Sequence, residues 1–229
     1  MRRKRRILPK YAYIPVILCL IWNELVYHVS RIFTNRLHHF DFSSSVDSLI
    51  PFEPSFIIIY NLSYILWAVG FVIFARENRK LCNEMFAAEM IGKTICLICF
   101  IAIPTEMVRA NICKADFFSY LTSIMYSIDE PNNLFPSIHC MESWLCFRGA
   151  FKCKKIHSIY SAAWFILATL ICLSTVFVKQ HVFVDIFAGI FVAEAGLYLS
   201  RWFDAGSVFD IIRVKLIRLK KEKKSKKIA

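Results

Sequence analysis

Runs of about twenty apolar residues constrain this chain more than anything else in it. A spanning helix needs ~20 mostly apolar residues, because the hydrocarbon core of a bilayer is ~30 Å thick. Segments 55–75, 89–108, 158–178 and 181–203 meet that requirement. Two more meet it less well. Segment 11–33 carries Asn23, Glu24 and His28 in its second half, and 135–151 is short and contains His139 and Glu142. Basic residues at 2–6 precede the first run as they would a signal peptide, but no small-residue cleavage site follows Trp22, so it reads as an uncleaved anchor. A chain that is 57% hydrophobic, with six Gly and seven Pro, excludes disorder and collagen-like repeats.

The distribution of charge decides the two weaker spans. A formal charge of +12 would suggest a nucleic-acid partner if it were spread over the body. Instead, residues 1–10 carry +6 and residues 213–227 carry +8, leaving −2 for the 202 residues between. Basic residues in short loops favour the cytoplasmic side. With six spans, the N-terminus, Arg76, Arg79, Lys80, Arg148, Lys152, Lys154, Lys155 and the tail all fall on that side. The opposite loops hold only Arg31, Arg36, Arg109, Lys114 and Lys179.

The sequence therefore predicts an all-α, polytopic membrane protein: a six-transmembrane-helix bundle with both termini cytoplasmic. Its parts are a basic stretch at 1–10, a transmembrane domain at 11–203 and a basic amphipathic tail at 204–229. Residues 208–219 mix apolar and basic positions at helical spacing, which suits a helix lying on anionic lipid headgroups, with no nucleic acid required. The nine cysteines form no disulfide framework. Cys96 and Cys99 have redox spacing, but they sit inside an apolar run and read as helix packing.

Several polar residues collect at the outer boundary of this bundle. Arg109 ends the third span, Pro136, Ser137, Ile138 and His139 open the fourth, and Lys179, His181 and Asp185 lie at the turn into the sixth. Ionisable groups at membrane depth are costly, so a functional site is the default reading. His181 and Asp185 are four apart and share a helix face. Such a pair braces a helix, or it fixes an imidazole tautomer and frees the other nitrogen as a nucleophile. Arg109 taken alone would equally pair with Glu106 or reach to the interface. Asp129 reads as part of a turn or as a contact for a headgroup hydroxyl, and Glu142 as tuning His139 or bracing its helix.

Phe135-Pro136-Ser137-Ile138-His139, followed by Ser174, Lys179, His181 and Asp185, resembles the type-2 phosphatidic acid phosphatase superfamily. That family's motifs read Pro-Ser-Gly-His and Ser-Arg-x5-His-x3-Asp, placed before the fourth and sixth of six spans. Here Ile138 replaces the Gly, Thr175 replaces the Arg, and Lys179 stands two residues before the histidine. The family's first motif, Lys-x6-Arg-Pro, survives only as Arg109, with Ala102 and Ala110 in place of its Lys and Pro. The pattern looks like the branch containing inositol-phosphorylceramide synthases, which holds phosphotransferases as well as phosphatases.

The resemblance implies a lipid phosphatase, acting on phosphatidate-like or polyprenyl phosphates in the cell membrane; the basic-residue asymmetry puts its site on the non-cytoplasmic face. The resemblance also implies His181 as nucleophile, Asp185 as its support and His139 as general acid and base. Arg109, Lys179, Ser137 and Ile138 would bind phosphate, through side chains or the N-terminus of the fourth helix. No metal and no cofactor are implied. The lipid tail would lie in apolar grooves beside the third, fourth and sixth spans. Two alternatives stand beside this: transfer of a phosphoryl-headgroup to an alcohol, and a non-catalytic scaffold or transporter, which the missing Arg and Lys would favour.

Overall fold

In the computed structural model, which describes residues 6–34, 36–113 and 116–225, the chain is almost entirely helical. Most of the basic N-terminal stretch, Lys114 and the last four residues of the tail lie outside the described residues. In chain order the elements are α1 (Tyr13–Thr34), β1 (Phe40–Asp41), α2 (Ser45–Leu49), α3 (Ile57–Glu77) and α4 (Arg79–Ala102). Then come β2 (Thr105–Glu106), α5 (Phe117–Ile128), α6 (Ile138–Lys152), α7 (Ser158–Phe177), α8 (Phe183–Trp202) and α9 (Ser207–Ser225).

Among the described residues five helices, α1, α3, α4, α7 and α8, are long and apolar enough to cross a membrane. The sixth expected span is α6, whose 15 residues cover only about 22 Å at 1.5 Å per residue. It is the innermost helix, packed on α3, α4, α7 and α8, with Cys140, Met141, Leu145 and Cys146 fully buried. A helix walled by protein need not present an apolar surface to lipid, which is why 135–151 looked weak by hydropathy.

The third span differs from expectation. The sequence predicts 89–108, whereas α4 starts ten residues earlier and ends at Ala102. Asn78, in extended backbone, stops α3, and its side chain accepts a hydrogen bond from Leu81 N at 2.9 Å, capping α4 at once. The first turns of α4 are polar because they have partners: Glu84 binds Lys152 of α6 and Arg201 of α8. Pro104 ends the helix, since proline disfavours helical backbone at the residue before it. Arg109 therefore lies in a loop beyond β2 and not at a helix end.

The five long apolar helices and α6 between them alternate in direction. At one end Arg213 of α9 binds Tyr11 O, Tyr11 donates to Ala75 O, and Lys155 binds the end of α3. Both described chain ends thus share one end of the bundle with 78 and 153–157. At the other end β1 pairs in parallel with β2, Glu53 N bonds Phe177 O, and Lys179 reaches α2. Two glycines let α8 approach closely. A Cβ on Gly196 would stand 2.5 Å from Ala88 O of α4, and one on Gly189 would stand 2.5 Å from Ser137 O at the start of α6. Cys96 and Cys99 lie within α4, as helix packing predicts.

Candidate active site

The start of α6 is held from outside the bundle. Thr105 of β2 accepts Leu134 N and Phe135 N on its hydroxyl, at 2.9 and 3.0 Å, and Asn133 N on its carbonyl at 2.8 Å. Asn133 adopts a positive φ of 55°, a region asparagine tolerates. Ser137 caps the helix, its hydroxyl accepting Cys140 N at 3.3 Å and its carbonyl accepting Met141 N. Helix geometry leaves the N–H groups of Ile138 and His139 without an intrahelical acceptor. Ser137 N donates to Asp185 O at 3.4 Å, so the two sequence motifs touch directly.

The turn between α7 and α8 is organised by Thr175. Its carbonyl accepts both Gln180 N (2.9 Å) and His181 N (3.1 Å), and its buried hydroxyl donates to Cys172 O. The position where the family pattern has Arg is thus packed inside the protein. Beyond the turn, His181 Nδ1 and Asp185 Oδ2 are 3.0 Å apart. The same oxygen accepts Val182 N at 3.2 Å, so the carboxylate is fixed before it meets the ring. Asp185 is fully buried and His181 nearly so. With Nδ1 engaged, Nε2 is the nitrogen available for chemistry.

His139 faces His181 with ring centroids 6.2 Å apart. Aromatic side chains of α3 fix its orientation. Tyr60 stacks on the imidazole at 4.3 Å, and Trp67 and Tyr64 meet it edge-on at 5.0 and 5.6 Å. Its Nε2 is buried and has no hydrogen-bond partner among the described residues.

The expected phosphate ligands divide. Ile138 lines the same cavity as the two histidines. The Ser137 hydroxyl is occupied in capping α6. Arg109 stands one layer back: its guanidinium donates to Gln180 Oε1 (2.6 Å) and to Tyr126 O (2.8 Å) and lies over the Tyr126 ring at 4.4 Å. Burial pulls its pKa down, against the nearby Asp129 carboxylate, which pushes it up. Gln180, which sequence reasoning missed, lines the cavity beside His181, and its Nε2 has no partner among the described residues. No sequence pattern marks a glutamine of this kind; only Arg109 arriving from a distant loop turns its amide.

Lys179 does not follow expectation. Its ammonium donates to the carbonyls of Asp47 (2.9 Å) and Ile50 (2.7 Å), and it is not among the residues lining the cavity. It ties α2 to the α7–α8 turn, which Asp47 reinforces by accepting Phe183 N at 2.6 Å. Lys179→Ala is expected to cost about 1.5–3 kcal/mol of stability, the range for hydrogen bonds made by a charged group. It should leave the inhibition constant for inorganic phosphate unchanged; a rise of tenfold or more would put the ammonium on the phosphate after all.

The cavity measures about 850 Å³ and occupies the space between α1 and α3, floored by α4 and α6. Arg31, Asp129 and Asn132 line it towards the histidines, and its lining extends along α1 to Val16 and Leu8. Arg31 and Val16 are fifteen residues apart on α1, so the cavity follows the helix for about 22 Å. Of the third, fourth and sixth spans expected beside the lipid groove, the third and fourth (α4 and α6) line the cavity, α8 does not, and the first and second spans form its walls. Partway down, Glu89 and Lys93 of α4 meet Glu142 of α6. Glu142 therefore faces an ion pair. Burial raises the carboxyl of Asp129 above its usual range, while His181, Arg109 and Arg31 draw it down. Among the described residues no three His, Cys, Asp or Glu side chains gather to hold a metal.

Comparison with curated proteins and with solved structures finds no match. A family model described as the PAP2 superfamily matches residues 32–199. That span takes in α3 to all but the last turn of α8, with His139, His181, Asp185 and Gln180, and by it the chain belongs to the PAP2 superfamily, the family of type-2 phosphatidic acid phosphatases.

Proposed function

We propose that this protein hydrolyses the phosphate ester of a membrane lipid through a phosphohistidine on His181. Membership of the PAP2 superfamily gives it a phosphatase-type lipid phosphoesterase fold. One observation carries the reading further: the buried His181–Asp185 pair faces His139 at the end of a cavity that runs down between two membrane-crossing helices. A lipid seated there keeps its phosphate at the mouth and its chain along α1 and α3.

In the first step His181 Nε2 bonds to phosphorus as the bond from phosphorus to the lipid oxygen breaks. His139 gives its proton to that oxygen. The carboxylate of Asp185 stabilises the positive charge that forms on His181. The phosphoryl oxygens take hydrogen bonds from the Gln180 amide and from the first N–H groups of α6. Arg109 sets the direction of Gln180 and adds positive charge behind it. In the second step water attacks phosphorus, the N–P bond breaks, and His139 takes the proton of the water.

A specific feature favours a second reading, transfer to an alcohol. Asp129 lines the cavity within electrostatic reach of His181, where it suits an acceptor hydroxyl. The inositol-phosphorylceramide synthase-like branch, which the sequence pattern resembles, includes such phosphotransferases as well as phosphatases.

The test is a panel of lipid phosphates, incubated with purified protein in excess chelator, with and without alcohol acceptors. Release of inorganic phosphate supports hydrolysis, and a new phosphodiester supports transfer. Neither product, or turnover that appears only when magnesium is restored, overturns the reading. The basic loops and tail at the opposite end support a reading in which the site faces the non-cytoplasmic side and the tails lie on anionic headgroups. An impermeant thiol reagent that reaches a cysteine placed at Lys154 in intact cells, and not one at Asn132, would reverse this.

A further inference from the structure

Lys93 is a buried cation at membrane depth with every donor used. Its ammonium binds Glu89 Oε1 at 2.6 Å, Glu142 Oε1 at 2.6 Å and Asn23 Oδ1 at 2.7 Å. An ammonium has three protons to give, so nothing remains for a ligand. What remains is acceptor capacity. Glu89 is 3% exposed, lines the cavity, and its Oε2 has no hydrogen-bond partner among the described residues. Cys19, beside it, donates to Phe86 O. A buried carboxylate oxygen without a donor is costly, and the cost falls when a ligand supplies one.

The depth of this acceptor is informative. Glu142 follows His139 by three residues on α6, which sets it about 4.5 Å further along the helix axis. Glu89 meets Glu142 through Lys93 at that level. A lipid whose phosphorus lies between His139 and His181 therefore brings its second or third carbon to the cluster. Below that level the cavity wall becomes apolar, with Leu20, Ala68, Phe71, Val72 and Phe86.

We infer that Glu89, held by Lys93 with Glu142 and Asn23, forms a subsite for a hydrogen-bond donor, a hydroxyl, amide N–H or ammonium, on the second or third carbon of the lipid phosphate. The inference rests on the function proposed above and narrows its substrate class. A diacylglycerol phosphate offers only ester acceptors at this level, and a polyprenyl phosphate offers no polar group. A long-chain hydroxy- or amino-alkyl phosphate satisfies Glu89.

The test uses two matched, non-hydrolysable phosphonates: a monoacylglycerol phosphonate with a free 2-hydroxyl, and its 2-O-methyl ether. Binding to the full-length protein in lipid nanodiscs is measured by calorimetry, and turnover is measured in parallel on the corresponding phosphates. The free hydroxyl is expected to bind at least about tenfold tighter, because a site built to bond a hydroxyl rejects the analogue that lacks it. In Glu89→Met, which keeps the Lys93–Glu142 pair, the ratio should fall to about one. Equal binding by the wild-type protein overturns the subsite, and so does a preference that survives in Glu89→Met. In either case turnover of both phosphates leaves the reaction standing. A preference in binding without any turnover supports the subsite and overturns the reaction. Binding of neither phosphonate overturns both.

Discussion

His181→Ala is expected to abolish turnover of every phosphate ester offered, whatever its leaving group. Among the described residues, only the imidazole of His181 sits on a buried carboxylate, 3.0 Å from Asp185 Oδ2, with that carboxylate fixed in turn by Val182 N. A nucleophile that becomes cationic on phosphorylation needs such a partner. Where one residue forms the covalent intermediate, its removal costs on the order of 10⁶-fold in kcat, and little is recovered by improving the leaving group. The measurement is steady-state turnover of an alkyl and a nitrophenyl phosphate by the same preparation. Folding is checked by retained binding of the lipid phosphonates. Substantial nitrophenyl phosphate turnover by His181→Ala would remove His181 from the nucleophile role.

His139→Ala is expected to behave differently with the two substrates. A departing alkoxide needs a proton in the transition state and a nitrophenolate does not. Loss of the general acid should therefore slow the alkyl phosphate ~10²-fold more than the nitrophenyl phosphate. The geometry that motivates this is the stack on Tyr60 and the edge contacts of Tyr64 and Trp67, which hold the ring across from His181 with Nε2 unpartnered. Equal losses on both substrates would assign His139 to phosphate binding alone.

Much of this architecture is legible in the residues. Long apolar runs and the placement of Lys and Arg yield six helices of alternating direction, and the spacing of His181 and Asp185 yields their contact. What was not legible has physical causes. The third span was misplaced because hydropathy counts Glu84 as polar without knowing that Lys152 and Arg201 meet it. Helix α6 looked weak because an inner helix is relieved of the need to be apolar.

In the site, Lys179 suggested a phosphate ligand by position alone, yet the positive φ of 51° at that residue and the carbonyls of α2 direct its ammonium elsewhere. Gln180 carries no signal, since its orientation depends on Arg109, seventy-one residues away in the chain. Glu89 and Lys93 did carry one: two ionisable residues four apart in an apolar run, where each alone would be costly. Their significance emerges only when α6 brings Glu142 to Lys93. Asn23, which made the first span look imperfect, completes the same cluster.

The covalent intermediate is the most direct test. Protein mixed with a lipid phosphate labelled at phosphorus, quenched within one turnover and digested under alkaline conditions, reports where the phosphoryl group rests. Label on the peptide containing His181, present in the wild-type protein and absent from His181→Ala, is the expected result. Turnover with no label on the protein at any time within the cycle, or label that persists in His181→Ala, would contradict it.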